Sequence, residues 1–215
     1  MAMITDRDLA IVEPSIFIDA GSQATLLYGA SNGAIATNTR FTSVGSDFAG
    51  KGIDLGHIIT VDTPSQVLEV TGPQSTDTVL VSRLRVDSTD PAITLDNATG
   101  LTFSIYTFER AIDRAESWVL GALGIGDTGS PDDLDETAIT NPQDVGRLIA
   151  LRTIARVLAS ASALDPTSDS LTQRAAVYAA RAEEATHQTV VRIDLDGDGL
   201  PEATRRIDVL ALVRD

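Results

Sequence analysis

The sequence predicts an α+β protein in which a β-rich small barrel or sandwich comes first, an α-helical bundle follows, and a C-terminal β-hairpin ends the chain. Short β-branched runs separated by turn signals fill residues 15–107, a spacing typical of small barrels and sandwiches. From Phe108 the apolar residues recur with a helical period instead. The tail carries two strand-like runs around Asp-Gly-Asp-Gly. These changes of pattern predict segment boundaries at 1–107, 108–188 and 189–215.

The composition narrows the class of protein. Of 215 residues, 43% are hydrophobic but only 4% are aromatic, which predicts a folded core built from Val, Ile, Leu and Ala. The absence of cysteine excludes disulfides, thiolate catalysis and cysteine-ligated metals. The net charge of −15 repels phosphate, so binding to nucleic acid by general charge attraction is not expected. The start has no signal-peptide pattern, and no stretch reaches the roughly 20 apolar residues of a membrane span. We therefore expect an intracellular protein with no membrane contact.

The N-terminal half is predicted from its caps and turns. Thr5 and Asp8 have the spacing of a capping box, which predicts a short helix over 5–12, and Pro14 ends that helix. Strand-like runs then follow, separated by turn signals such as Asn32-Gly33. The runs are SIFID (15–19), QATLLY, AIATNTRFTS, HIITV, QVLEV, DTVLVSRLRV and FSIYTF. Because no helical pattern alternates with them, a barrel or sandwich is favoured over a parallel sheet.

Three helices are predicted between 108 and 188. The second begins with Asn141 as its cap and Pro142 at its first position. The third begins at a capping box formed by Ser170 and Gln173. Its apolar face is mostly alanine, which lets a partner helix approach closely. The first helix carries an apolar stripe of Phe108, Ile112, Ala115 and Val119.

Two motif matches near the middle of the β-rich half fail by their context. Residues 29–33 fit G-x-S-x-G with Ser31 as the nucleophile, but a strand-like run follows where a nucleophile elbow needs a helix. A hydrolase that uses Ser31 is one alternative hypothesis for the function. Residues 45–51 resemble a phosphate loop, but Gly52 stands where a hydroxyl residue would bind magnesium. We interpret both stretches as turns.

The remaining catalytic signals are equally weak. Residues 124–129 match G-x-G-x-x-G, but they follow a helix, whereas the dinucleotide fingerprint follows a strand. His57 and His187 have no partners at metal-ligand spacing. We therefore predict no catalytic residues, no cofactor-binding residues and no enzymatic activity.

One motif fits its chemistry better. Asp194, Asp196, Asp198 and Glu202 occupy positions 1, 3, 5 and 9 of a calcium-type loop, with a glycine at position 6 for the sharp turn. Arg205 stands where an EF-hand supplies its bidentate glutamate, and strands flank the loop in place of helices. The sequence leaves two interpretations open, a weak structural calcium site and a plain acidic hairpin turn.

Several segments resemble the head–tail connector (adaptor) proteins encoded in the head–tail gene modules of tailed phages and prophages. The opening is similar to the "TDRDL…LEP" start of that family, and the helical part, 108–188, is similar to the helical core of adaptors. The matching segments are Ile4–Leu9 with Val12-Glu13-Pro14, Phe41–Phe48, Gly52-Ile53 with Gly56–Ile59, Leu80–Arg85, and Asp194–Gly199 with Ala203–Arg206.

The resemblance implies a structural subunit of the phage neck. Such a subunit forms a ring, dodecameric in this expectation, that docks under the portal protein and passes DNA to the tail without sequence-specific binding. Its partners would be further copies of itself, the portal protein and a downstream neck or tail protein. It would be made in the host bacterial cytoplasm and end in the neck of the virion. The large β-rich half leaves a stopper or tail-completion role as an alternative.

Two surfaces are candidates for the contacts. Arg152 and Arg156 lie largely off the apolar stripe of the second predicted helix, where they could contact a neighbouring subunit or face solvent. The hairpin predicted over 190–213 offers a strand edge to a partner.

An alternative function, from another functional class, is that of a calcium-dependent binding module. In that module the β-rich half recognises a ligand and the Asp194 loop holds the metal.

Overall fold

The computed structural model describes residues 3–126, 134–165 and 167–207. Contacts divide the chain into two units. The first is Thr5–Glu109, and the second combines the described residues of Met1–Ile4 and Arg110–Asp215. None of the helices in the described ranges is long and apolar enough to span a membrane.

The first unit contains a closed six-stranded antiparallel barrel in the strand order β1-β2-β5-β4-β3-β6. The strand β6 pairs with β1 and so closes the barrel, which confirms the predicted α+β class and decides between barrel and sandwich. Two short helices and a 3-10 turn precede the strands. The elements are α1 (Asp6–Val12), α2 (Ile16–Asp19), the turn Gly21–Gln23, β1 (Thr25–Ala36), β2 (Arg40–Thr42), β3 (Ile58–Asp62), β4 (Ser65–Ser75), β5 (Thr78–Arg83) and β6 (Ala98–Thr107).

Aliphatic residues and a few aromatic rings fill the barrel. The rings of Phe41 and Phe103 meet edge to face with centroids 4.7 Å apart, and Phe48 and Tyr28 complete the aromatic cluster. Such edge-to-face pairs add about 0.5–1.5 kcal/mol beyond the burial of their area. The aliphatic part of the core consists of Ile35, Ile53, Ile59, Val61, Leu68, Val70, Val79, Val81, Leu95, Leu101 and Ile105.

The predicted turn at Asn32-Gly33 is wrong, because both residues lie within β1, where the pairing with β6 is irregular. The chain instead reverses after β1 at Thr37 and Asn38, whose φ values of 51° and 65° are left-handed. Gly33 is needed for packing: a Cβ there would lie 2.7 Å from Cζ of Phe41. The glycine therefore marks a bulge against a crowded core and not a hairpin.

The predicted strand at 15–19 is also wrong, since Ile16–Asp19 forms the helix α2. Ile16 and Phe17 are both buried, and neighbouring residues of a half-buried strand would point to opposite faces. The Phe17 ring packs edge to face on Phe108, with centroids 5.0 Å apart. Burial of two consecutive residues thus overrides the local β propensity.

The second unit contains the three predicted helices and a two-stranded sheet. Helix α5 packs along α4, and β7 pairs with β8 in antiparallel register from Val190↔Arg206 to Ile193↔Ala203. The predicted hairpin over 190–213 extends past this pairing into residues 208–213, which lie outside the described residues. The elements are α3 (Glu109–Leu123), the 3-10 turn Glu136–Ala138, α4 (Pro142–Leu164), α5 (Asp169–Gln188), β7 (Val190–Ile193) and β8 (Ala203–Arg206).

The helix starts differ in detail from the prediction. Asn141 is the residue before α4, but its side chain donates to the carbonyl of Val190 at 2.9 Å and caps no N–H of its own helix. The capping residue of α5 lies two positions earlier than predicted, at Ser168, whose side chain accepts the N–H of Leu171. Gly146 of α4 allows close approach by Ile4, whose side chain would lie 3.0 Å from an added Cβ.

Candidate functional site

The four predicted metal ligands lie together at the tip of the β7–β8 hairpin. One oxygen from each of Asp194, Asp196, Asp198 and Glu202 lies within 4.8 Å of the others. Asp194 is half-buried and the other three residues are exposed. Carboxylate oxygens are the ligands that calcium prefers, and it takes about six to eight of them. The residues present thus fit part of a calcium shell, with water needed for the remainder.

The first carboxylate of the loop determines its shape. Asp194 accepts backbone N–H groups from Asp196 at 3.2 Å, Gly197 at 2.7 Å and Gly199 at 2.7 Å. These hydrogen bonds, led by the one from Gly199, hold the pKa of the Asp194 carboxyl below its ordinary value. Gly197 and Gly199 have φ values of 80° and 87°, which favour glycine. Hydrogen bonds within the chain therefore account for the loop conformation without an ion.

The arginines of β8 are helix caps. Arg205, which occupies the calcium-ligand position of an EF-hand, donates from Nη1 to the carbonyl oxygen of Leu123 at the end of α3. Arg206 donates from Nη2 to the carbonyl oxygen of His187 at 2.7 Å, at the end of α5. Carbonyl groups in the last turn of a helix lack an intrahelical partner and carry partial negative charge, so a guanidinium stabilises them. The strand β8 thus attaches the hairpin to the ends of two helices.

The hairpin, predicted to offer a strand edge to a partner, has one of its two edges covered by another part of the chain. Residues 138–141 run along the outer side of β7, where Thr140 donates to Arg192 O at 3.0 Å and Asp194 donates to Ala138 O at 2.8 Å. Asn141 Oδ1 accepts the N–H of Arg192 at 2.8 Å. Among the described residues, β8 pairs only with β7, so its outer edge is the one still open to another strand.

The two predicted interface arginines lie on successive turns of α4. The guanidinium carbon of Arg152 lies 3.3 Å from the ring centroid of Trp118 on α3, a cation–π stack. Its Nη1 also donates to Oγ1 of Thr186 on α5 at 3.5 Å. Partial burial lowers the pKa of Arg152, partly offset by Glu183. Arg156 is exposed.

The barrel unit contains a buried ion network that the sequence did not predict. The Glu69 carboxylate on β4 is fully buried between two arginines: Arg7 donates from Nε to Oε2 at 2.5 Å, and Arg85 donates from Nε to Oε1. Arg7 also donates from Nη2 to the carbonyl oxygen of Arg85 at 2.6 Å. A buried charge is tolerated only when it is paired and hydrogen-bonded in this way. The sequence signal was Glu69 itself, a lone charge inside the apolar strand pattern.

Asp6 is, with Glu69, one of two buried carboxyl groups in that unit. Its Oδ1 accepts the N–H of Phe108 at 2.8 Å. Burial raises the pKa of the Asp6 carboxyl from 3.8 to about 6, although that hydrogen bond and the one from Thr107 act in the opposite direction. The next residue, Arg7, donates its backbone N–H to Gly56 O at 3.0 Å. Consecutive residues of α1 thus fix the helix to β6, to β4 and to the loop before β3.

Neither catalytic motif of the barrel unit has the required geometry. Ser31 is an exposed residue within β1, which continues to Ala36, so no strand–turn–helix elbow forms there. In residues 45–51, which resemble a phosphate loop, backbone N–H groups donate hydrogen bonds to a carboxylate of the protein itself. Asp77 accepts those of Gly45 at 3.1 Å and Asp47 at 3.2 Å, and these bonds lower the pKa of Asp77.

The glycine motif at 124–129 lies only partly within the described residues. Gly124 follows the end of α3 with a φ of 64°, the left-handed conformation that commonly ends a helix, and Gly126 has a φ of 151°. Residues 127–129 lie outside the described residues.

Comparison of the chain with protein-family models, with curated proteins and with solved structures finds no match.

Proposed function

We propose that this chain is a structural head–tail adaptor of a tailed phage. In this proposal it forms a ring in the neck of the virion, between the portal protein and a downstream neck or tail protein, and DNA passes through the ring without sequence-specific binding. Helices α3, α4 and α5 act as the helical bundle that builds the ring. The chain has no enzymatic activity in this proposal, and its function is carried by its contact surfaces.

The main support for the proposal is the position, within the fold, of the segments that resemble the adaptor family. The start of α1 and the run that ends at Arg85 meet at Glu69, although they are far apart in sequence. Gly56 accepts the N–H of Arg7, so a third such segment joins the same framework. Arg205 and Arg206, from the last segment, cap two helices. These segments of resemblance hold residues that maintain the framework of each unit, and the proposal assigns the function to the surfaces that this framework carries.

Charge and packing give further support. A net charge of −15 suits a conduit along which DNA slides without adhering, because like charges repel. Helix α5 packs along α4 and buries the small residue Ala182, and small residues let helices approach closely. The open edge of β8 offers backbone hydrogen bonds to a neighbouring protein.

Disruption of the gene in the phage or prophage that carries it tests the proposal. We expect electron micrographs of the lysate to show separate heads and tails, and a plasmid copy of the gene to restore joined particles. Heads that have lost their DNA would assign the chain to a stopper or tail-completion position in place of an adaptor. Normal infectious particles from the disrupted phage would refute a role in the neck.

A calcium-dependent binding module is the second candidate, because four carboxylates converge at the hairpin tip. If calcium binds there, it would act structurally, and the melting temperature should rise with millimolar calcium. Asp196→Asn should abolish that rise because it removes one ligand charge, whereas Asp113→Asn, an exposed aspartate on α3, should retain it. A melting temperature that is the same in calcium and in chelator would eliminate this candidate.

A further inference from the structure

Two helices of the second unit share an exposed face of arginine and tryptophan, here called the Arg–Trp face. It consists of Arg114 and Trp118 on α3 and Arg152 and Arg156 on α4. Each pair is separated by four residues, so its members are neighbours on one side of their helix. The stack of Arg152 on Trp118 joins the two pairs. Trp118 nevertheless remains 41% exposed.

The composition of this face is unusual for a solvated helix surface. Like charges four residues apart destabilise a helix, yet Arg152 and Arg156 stand in that relation. Among the described residues, the guanidinium groups of Arg114 and Arg156 make no hydrogen bond or salt bridge. Glu183 partly offsets the positive charge at Arg152. Tryptophan and arginine are the residues that most often dominate the energy of protein interfaces.

The chain itself carries a surface complementary to this face. At the hairpin tip, Asp196, Asp198 and Glu202 are exposed beside Leu195 and Leu200. The two leucines are 53% and 64% exposed, a large fraction for apolar side chains in a loop. The tip therefore presents carboxylates and apolar groups together, as the Arg–Trp face presents guanidinium groups and an indole ring. A short acidic segment with leucines is the partner chemistry that this face fits.

We infer that the hairpin tip, residues 194–202, of one copy docks on the Arg–Trp face of a second copy. This inference rests on the proposed function, since it names the contact by which ring subunits join. The two surfaces differ from each other and both belong to the second unit of the chain. Repetition of such a head-to-tail contact produces a closed ring when the rotation from copy to copy closes, whereas a contact between identical patches stops at a dimer.

The test measures self-association of the full chain by analytical ultracentrifugation, in buffer with chelator so that the loop carboxylates stay free of metal. One variant combines Arg152→Ala with Arg156→Ala, and the other combines Asp196→Asn with Asp198→Asn. We expect each variant to raise the dissociation constant by at least about 30-fold, the effect of losing one interface hot spot. Arg147→Ala and Asp113→Asn, at exposed positions of the same unit, should leave the constant unchanged.

A mixture of the two variants gives the sharpest outcome. Each variant retains the surface that the other lacks, so equimolar mixing should produce one-to-one dimers that grow no further. Circular dichroism and melting curves establish that each variant is folded before it is scored. Undiminished assembly of either variant, an equal loss in both controls, or a wild-type chain that stays monomeric up to its solubility limit would overturn the inference.

The phage assay separates this inference from the proposed function. Joined, infectious particles from a phage that carries the loop variant would leave the neck role intact and refute this docking mode. Normal particles from a phage that lacks the gene would refute the neck role itself, whatever the association measurements show.

Discussion

Replacement of Asp6 by asparagine should stabilise the protein at neutral pH. The carboxyl of Asp6 has a pKa of about 6 in the folded protein, against 3.8 as its ordinary value, because burial disfavours its charged form. The folded chain therefore binds a proton more tightly than the unfolded chain. The free energy of unfolding falls as the pH rises from about 4 to about 6, and above that range the cost of the buried charge is constant.

The magnitude follows from the size of the shift. Two pKa units, at about 1.4 kcal/mol each, correspond to about 3 kcal/mol at pH 7.5. Asparagine removes the charge but keeps an oxygen in the position that accepts the N–H of Phe108. We therefore expect Asp6→Asn to raise the unfolding free energy by up to about 3 kcal/mol at pH 7.5, and to change it little near pH 4.

Urea unfolding followed by far-UV circular dichroism at both pH values measures the difference. Asp90→Asn makes the same chemical change at an exposed position of the same unit and should show no such dependence on pH. An Asp6→Asn protein that is less stable than wild type at pH 7.5, or a difference that is the same at both pH values, would refute this account of Asp6.

Three further substitutions test the framework. Glu69→Gln leaves two buried guanidinium groups without their carboxylate and should lower the unfolding free energy by about 3–5 kcal/mol, measured in urea. Gly33→Ala forces a methyl group against two phenylalanine rings and should cost about 1–3 kcal/mol. Gly72→Ala has no atom within 4 Å of the new methyl group and serves as its control. Arg205→Ala removes the cap on Leu123 O and should cost about 1 kcal/mol, seen as a lower melting temperature, and an unchanged temperature would contradict the capping role.

The elements that the sequence predicted well are those whose pattern is local. The capping box of Thr5 and Asp8 forms as expected, with Thr5 N–H donating to Asp8 Oδ2 at 2.7 Å. The strand at 78–83 lies within a predicted run, and the strand at 58–62 extends one residue past its run, since both runs are rich in β-branched residues. The helices α3 and α4 begin within one residue of where their patterns start.

The errors arise where distant residues decide the local structure. Asn32-Gly33 has the letters of a hairpin turn, but the rings of Phe41 and Phe103 make the glycine a packing requirement. Residues 16–19 become helical because Ile16 and Phe17 are both buried. Nothing in the local pattern contains either fact.

The candidate sites also differ in whether neighbouring or distant residues form them. The four carboxylates lie within one short stretch of sequence, so their spacing predicted the cluster that they form. Arg7 and Glu69 are 62 positions apart, and the stack of Arg152 on Trp118 joins two helices, so only the fold brings these pairs together. A charged residue inside an apolar strand pattern indicates that a partner exists but does not identify it.

The closure of the barrel has a consequence for the proposed adaptor ring, in which many copies would lie side by side. In a crowded assembly, an open sheet would offer unpaired N–H and C=O groups to every neighbour and invite uncontrolled polymerisation. The pairing of β6 with β1 removes that hazard from the first unit. The loops between its strands can then change in length and sequence without exposing a strand edge.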